Sequence, residues 1–185
     1  MKKIIMIMMV LISISVLGGV NYDSFHIGYS GNTQKQALGV SCYTLPFDND
    51  HFGYYGAFRI GGKHAGEGSN YYESISKNTA ENFFNDPLLR TEEGSITLDA
   101  GFTQYVNKYF YLYYGLGVTS FSGYRVYYDR TGILGTNYLI NDKNKTKLAA
   151  NVFLGGILKI DDFLSVNIGW LTQPKGLNIG ISFGY

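Results

Sequence analysis

The sequence predicts an all-β fold, an eight-stranded antiparallel up-and-down transmembrane β-barrel, and three observations predict it. Eight runs along the chain alternate large apolar residues with small or polar ones, which is the period of a strand with two unlike faces. The links between the runs are short at one rim and include two long ones at the other, the pattern of an outer-membrane barrel with tight periplasmic turns and external loops. Third, the 185 residues hold 24 Gly and 17 Tyr against 3 Pro, without a glycine at every third position, so the composition is that of a β protein and not of collagen. The length suits one sizeable domain. A formal net charge of +1 gives no global field for nucleic acid or another polyanion.

Residues 1–18 read as a secretory signal peptide and 19–185 as the barrel. Lys2 and Lys3 precede an apolar run from Ile4 to about Leu17, closed by the small residues Gly18 and Gly19 where cleavage is expected. That run falls short of the roughly 20 residues a spanning helix needs. Cys42 is the sole cysteine, so an exported chain of this kind has no internal disulfide and is held by burial or by its solvent.

The strands follow in order. The first, Ser24–Gly31, opposes Phe25, Ile27 and Tyr29 to His26, Gly28 and Ser30. In the second, Gln36–Leu45, Leu38, Val40 and Cys42 oppose Gly39, Ser41 and Tyr43. Turn residues Pro46–His51 lead to the third, Phe52–Gly62, with Tyr54, Phe58 and Ile60 against Gly53, Tyr55, Ala57 and Arg59. The fourth, Ser95–Val106, sets Ile96, Leu98, Ala100 and Phe102 against Thr97, Asp99, Gly101 and Thr103. Asn107-Lys108 turns into the fifth, Tyr109–Phe121, and the sixth runs Lys147–Ile160. Asp161-Asp162 turns into the seventh, Phe163–Gln173. Pro174-Lys175 turns into the eighth, where Leu177, Ile179, Ile181, Phe183 and Tyr185 alternate with Gly176, Asn178, Gly180, Ser182 and Gly184. The long links, residues 63–94 and 122–146, are expected to be external loops.

Each run is close to the roughly 9–11 residues with which a tilted strand crosses a bilayer. An eight-stranded barrel has room only to fill itself or to hold one small ligand. The bulky apolar set is therefore expected to point out into hydrocarbon, and the Gly, Ser, Thr and Asn set into the narrow lumen. Register then places Arg59 and Asp99 on the inner face of neighbouring antiparallel strands, where they are expected to form an internal ion pair.

On these features the chain resembles the small eight-stranded outer-membrane barrels of the OmpA and OmpX transmembrane type. The ending "NIGISFGY" fits the polar–x–Gly–x–x–hydrophobic–x–hydrophobic pattern of that family through Asn178, Gly180, Phe183 and Tyr185, with Tyr in place of the commoner terminal Phe. The resemblance implies a bacterial outer-membrane location. It also implies contact with outer-membrane lipids and lipopolysaccharide, and recognition of the C-terminal strand by the barrel-assembly machinery.

No constellation for catalysis stands out. Some barrels of this size edit lipopolysaccharide lipid and need a nucleophile and base near the outer leaflet. Here His26 falls at the periplasmic end, His51 in a periplasmic turn, and His64 at the external rim with no serine at a facing strand spacing. The His-x-Ser pattern of lipid deacylases is absent, and Ser24-Phe25-His26 has the reverse order. No cofactor is expected, and no metal: Glu67, Glu73, Glu81, Asp86, Glu92 and Glu93 lack ligand spacing. Gly115, Gly117 and Gly155 are the places where the lumen could widen toward slow solute leakage.

Function is left to the loops. Residues 63–94 carry six acids against Lys63, Lys77 and Arg90, a local charge of −3. Residues 122–147 carry five basic residues against Asp129 and Asp142, a local charge of +3. Either the two attract and form a structured cap, or the Arg–Tyr stretch "GYRVYYDRTG" grips lipopolysaccharide phosphates or a host or phage surface ligand. A helical turn or two is expected within Asn78–Asp86, before Pro87. The expected role is non-enzymatic: envelope structure, adhesion or surface recognition. A lipid-modifying barrel enzyme and a soluble lipocalin-like carrier are the alternatives, the latter requiring the apolar face inside.

Overall fold

The computed structural model describes residues 22–32, 37–62, 69–71 and 75–184, and within them nine strands: β1 (Tyr22–Asn32), β2 (Ala37–Pro46), β3 (Phe52–Gly62), β4 (Ser69–Tyr71), β5 (Leu88–Asn107), β6 (Phe110–Tyr128), β7 (Asn137–Lys159), β8 (Leu164–Thr172) and β9 (Lys175–Gly184). Eight of them close a ring in the order β1-β2-β3-β5-β6-β7-β8-β9, and β9 returns to β1. Every pairing in the ring is antiparallel. The chain is therefore an up-and-down eight-stranded barrel, as the alternating runs predict. Residues 1–18, where a signal peptide is expected, His64 and the terminal Tyr185 lie outside the described residues. Among the described residues no helix is long and apolar enough to cross a membrane.

Three tight turns close one end of the ring, and each is fixed by a short polar side chain that bonds backbone two or three residues on. Asp48 accepts from the Asp50 amide at 3.0 Å. Asn107 accepts from the amides of Tyr109 and Phe110 at 2.9 and 3.0 Å. Asp161 does the same for Phe163 and Leu164 at 2.8 and 2.6 Å. The turn signals in the sequence are thus the groups that hold the turns.

The two faces of the wall separate as their residue types require. Ile27, Leu38, Leu98, Leu116, Leu148, Leu154, Ile168 and Ile181 are exposed on the outside. His26, Ser30, Ser41, Thr97, Asp99, Thr119, Asn151, Ser165 and Asn178 are buried within. A lipocalin-like carrier, which needs its apolar set inside, is incompatible with this arrangement. The lumen is filled in two storeys. Toward the tight turns, Tyr43, Tyr55 and Tyr113 stack at centroid distances of 6.1 and 4.7 Å, with Phe153, Ile157 and Leu171 packed around them. Such ring pairs contribute roughly 0.5–1.5 kcal/mol each beyond the area they bury.

Above the rings lies the expected ion pair. Arg59 and Asp99 are almost wholly buried and joined through Nη1 and Oδ2. Arg59 also donates to the Ser30 hydroxyl at 3.2 Å and the Tyr55 hydroxyl at 3.1 Å, while Asn151 donates to Asp99 at 2.6 Å. A buried charge pair is tolerated only when its remaining bonding capacity is met in this way. The β8–β9 turn then seals the other end: the Gln173 amide donates to Asn151, Thr119 donates to the Gln173 carbonyl, and Asn32 donates to the Pro174 carbonyl, all within 2.8–2.9 Å.

The glycines singled out as places of widening are filled instead. The Asp99 carboxylate lies over Gly117, the Phe153 ring over Gly115 and the Tyr113 ring over Gly155, each where a Cβ would collide with it. Their missing side chains make room for the larger residues paired with them on the adjacent strands.

Candidate functional site

Parts of the segments expected as loops are strand. β5 begins at Leu88, β6 continues to Tyr128 and β7 starts at Asn137, so the three run well past the ring as an extension. Val126 pairs with Arg90 on one side and Leu139 on the other, and β4 adds to β7 in parallel, Ser69 opposite Asn137. The composition of residues 124–128, Tyr-Arg-Val-Tyr-Tyr, is that of a strand. The charges and the flanking Ser-Gly disguised it. Where the extension leaves the ring, β7 carries a wide irregularity: Phe121 faces Lys147 and Gly123 faces Asp142, so residues 143–146 oppose Ser122 alone. Gly123 is required there, because the Lys145 stem lies in the space a Cβ would take.

A short π-helical turn, Thr79–Phe83, packs on this extension, in the stretch where helix was expected. Ser76 holds its start, accepting the Thr79 amide at 3.1 Å. Ala80 on the turn is buried with Tyr127, Tyr138 and Ile140, and Ile75 and Leu134 flank them. Tyr127 and Tyr138 stack at 5.7 Å. This small core lies on the continuation of the face of β6 that meets the lumen lower down.

Charge joins the acidic and basic segments as one of the two expectations required. Arg125 bonds Asp142 at 2.8 Å on its own segment and reaches Glu81 of the acidic segment at 3.7 Å. Glu81 also accepts from the Tyr127 hydroxyl at 2.8 Å. Burial and then this carboxylate push the Tyr127 phenol up to about 12. Asp86 accepts from the Tyr138 hydroxyl at 2.8 Å and the Arg130 amide at 3.1 Å, and Tyr138 is likewise held above the ordinary phenol range by burial and Asp86. Asp129 shapes the tip by accepting from the Thr131 amide and hydroxyl and the Leu134 amide, bonds that hold its carboxyl below the usual range. Arg125 is therefore a strut of the cap. Arg130 keeps an exposed side chain, and Phe83 and Ile133 stand 81% and 83% exposed at the distal end.

His26 and His51 fall where strand order placed them, with a feature that period alone does not show. His26 is closed inside the tight-turn end, with Nε2 bonded to Ser24 at 2.9 Å and Nδ1 to Ser165 at 2.8 Å, and Ser165 in turn bonded to Tyr43 at 2.7 Å. Its ring stacks on Tyr43 at 5.4 Å. A serine and a histidine at bonding distance satisfy one requirement of nucleophilic catalysis. Both are buried, however, and the second ring nitrogen is bound to another hydroxyl, so the cluster serves as lumenal packing. His51 is exposed and bonds Asp48 at 2.6 Å. Among the described residues no three His, Cys, Asp or Glu side chains gather as metal ligands.

No family model and no curated relative matches the chain. Among solved structures it is similar to Ail, the attachment invasion locus protein of Yersinia pestis, in complex with the heparin analogue sucrose octasulfate. There it has 16% identity and a TM-score of 0.46, over 87% of this chain and 93% of that one. A second crystal structure of Ail gives 13% identity and a TM-score of 0.44 over 89% and 95%. The fold assignment rests on the chain's own closed ring of eight strands.

Proposed function

We propose that the protein is an integral barrel of the bacterial outer membrane, that it is not an enzyme, and that its distal cap is a recognition or adhesion surface. The observation that carries this reading is a change along β6 and β7 in what the outer face meets. Around the ring, large apolar side chains on the outer face are exposed, while the lumen holds a polar network above stacked rings. In the extension Val126 and Leu139 on the outer face are buried, and Tyr127, Tyr138 and Ile140 on the other face form a core with Ala80 of the π-helical turn. A wall that is apolar outside suits hydrocarbon, and an extension with its core inside suits water. The tight-turn rim then faces the periplasm, and lipopolysaccharide surrounds the base of the cap. Recognition of the C-terminal strand by the barrel-assembly machinery belongs to the same reading, and so does export by residues 1–18.

Membrane fractionation with heat-modifiable gel mobility tests the location. Outer-membrane recovery with a compact unboiled band is expected, and a soluble periplasmic product would overturn it. For the cap, cells displaying the protein are compared with cells displaying the variant Phe83→Ser/Arg130→Glu/Ile133→Ser, in adhesion to host cells and in phage adsorption. Loss of one of these at unchanged surface level is expected; equal behaviour in both assays would leave the cap as architecture alone.

A further inference from the structure

The tight-turn end of the barrel carries a recess of about 350 Å³, bounded by Phe47, Tyr105, Tyr109 and Tyr111 with the ammonium groups of Lys108 and Lys159. Its size falls in the range of small-molecule sites, roughly 300–1,000 Å³. Tyr105 and Tyr111 meet edge to face at 5.6 Å, and Lys108 lies over the Tyr109 ring at 4.7 Å. Tyr111 and Tyr105 belong to the floor that the lumenal core shares with the recess, while Phe47, Lys108 and Tyr109 take no part in that core.

Lys159 is the unusual member. Its side chain is 8% exposed, yet it bonds Asp162, whose carboxylate is 98% exposed, at 2.9 Å. Lys159 holds the Asp162 carboxyl below the usual carboxylate range. The Asp162 carboxylate stands in water while the Lys159 ammonium that it bonds is buried, so only another anion can relieve Asp162 without leaving the cation unpaired. An anion that enters the recess can take the place of Asp162 on Lys159. The other carboxylate at the rim, Asp161, is occupied by the two amides of its turn. The aromatic walls suit the apolar face of a sugar ring.

We propose that this recess binds a small anionic saccharide, one or two sugar rings bearing a carboxylate or phosphate, with the acid on Lys159 in exchange for Asp162 and the ring against Tyr109 and Phe47. The site stands apart from the distal cap, and its binding can be measured whether or not the cap recognises anything.

The full-length protein in detergent micelles is titrated by calorimetry with N-acetylmuramic acid, N-acetylglucosamine 1-phosphate and neutral N-acetylglucosamine. At least one anionic sugar is expected to bind tenfold or more tightly than the neutral one, and comparison of the two tells carboxylate from phosphate. Lys159→Gln should abolish the difference. Asp162→Asn, at a side chain that is 98% exposed, should tighten anionic binding severalfold because it removes a competing carboxylate. Absence of saturable binding, equal binding of neutral and charged sugars, or no gain with Asp162→Asn would each overturn the proposal.

Discussion

Leu116 and Val126 sit on the same strand and the same side of it, and their surroundings are opposite. Leu116, in the ring, is 69% exposed, whereas Val126, in the extension, is wholly buried beside Leu139. Across the sheet the neighbours differ as well. Behind Leu116 stand Asp99, Asn151 and Thr119, above the ring stack of Tyr43, Tyr55 and Tyr113, while behind the extension stand Tyr127, Tyr138 and Ile140. One continuous ladder of backbone hydrogen bonds therefore passes through two regimes. In the first, apolar surface is left outside, and the polar groups that share the lumen with stacked rings must satisfy each other. In the second, apolar groups are buried on both faces and charged residues such as Arg125, Glu81 and Asp142 tie the segments together. Strand pairing is indifferent to the change; side-chain chemistry follows the solvent.

The sharpest way to break the comparison is to unbalance the lumenal charge. Arg59→Ala strands the buried Asp99 carboxylate with only Asn151 as its partner. Removing one member of a buried pair costs about 3–5 kcal/mol. The double variant Arg59→Met/Asp99→Leu should recover most of that loss, since no charge is left to satisfy. Urea unfolding in phospholipid vesicles measures both, and a double variant as unstable as the single one would show that the pair is not what matters there.

The second test sets the outer wall against the cap. With the belt in hydrocarbon, Leu116→Arg should cost about 2–4 kcal/mol, as arginine does near the middle of a bilayer. Ile133→Arg is more exposed still but lies at the distal tip. It should change stability by about 0.5 kcal/mol or less, as surface substitutions do. Equal costs at the two sites would mean that the ring is not surrounded by lipid.

This contrast also accounts for what the sequence disclosed. Alternation is legible where the two faces of a strand meet unlike surroundings, so Phe52–Gly62 was readable to the residue and the eight ring strands to within a few. Register followed, and with it the Arg59–Asp99 pair. In residues 122–128 and 137–142 both faces are partly covered, and Val126 and Tyr127 are adjacent and equally buried. No period-2 contrast survives there, and the charged residues that join the segments look like solvated loop. The attraction between the acidic and basic segments was legible from net charge. That Arg125 would be consumed by it was not, because that depends on Glu81 being carried across by the π-helical turn.

A third test works inside the extension. Tyr138→Phe removes the hydroxyl that bonds the buried Asp86 carboxylate. Hydrogen bonds to charged groups contribute about 1.5–3 kcal/mol. The loss should fall on the extension alone, read as faster amide exchange across residues 124–142 with the ring strands still protected. Faster exchange around the whole ring would show that cap and barrel unfold as one unit, and the division between the two regimes would then be chemical without being cooperative.

The smallest effect is expected at the tight-turn rim, in a pair that neither regime shelters. Asp48 holds the exposed His51 imidazole above its ordinary value of 6.5, chiefly through their hydrogen bond, and His51 holds the Asp48 carboxyl below 3.8. The sign follows from both shifts. The histidine part of the interaction is fully present below pH 6.5 and is lost as pH rises through the raised value. The aspartate part is present above 3.8 and is lost as pH falls through the lowered one. The pair therefore acts between those limits, and its effect on global unfolding should be too small to resolve. Proton NMR titration of the His51 ring in micelles should place its midpoint above 6.5, and Asp48→Asn should bring it back. A midpoint that Asp48→Asn leaves unmoved would assign the shift to the rest of the rim. The turn would then be held by the Asp48–Asp50 amide bond without help from the imidazole.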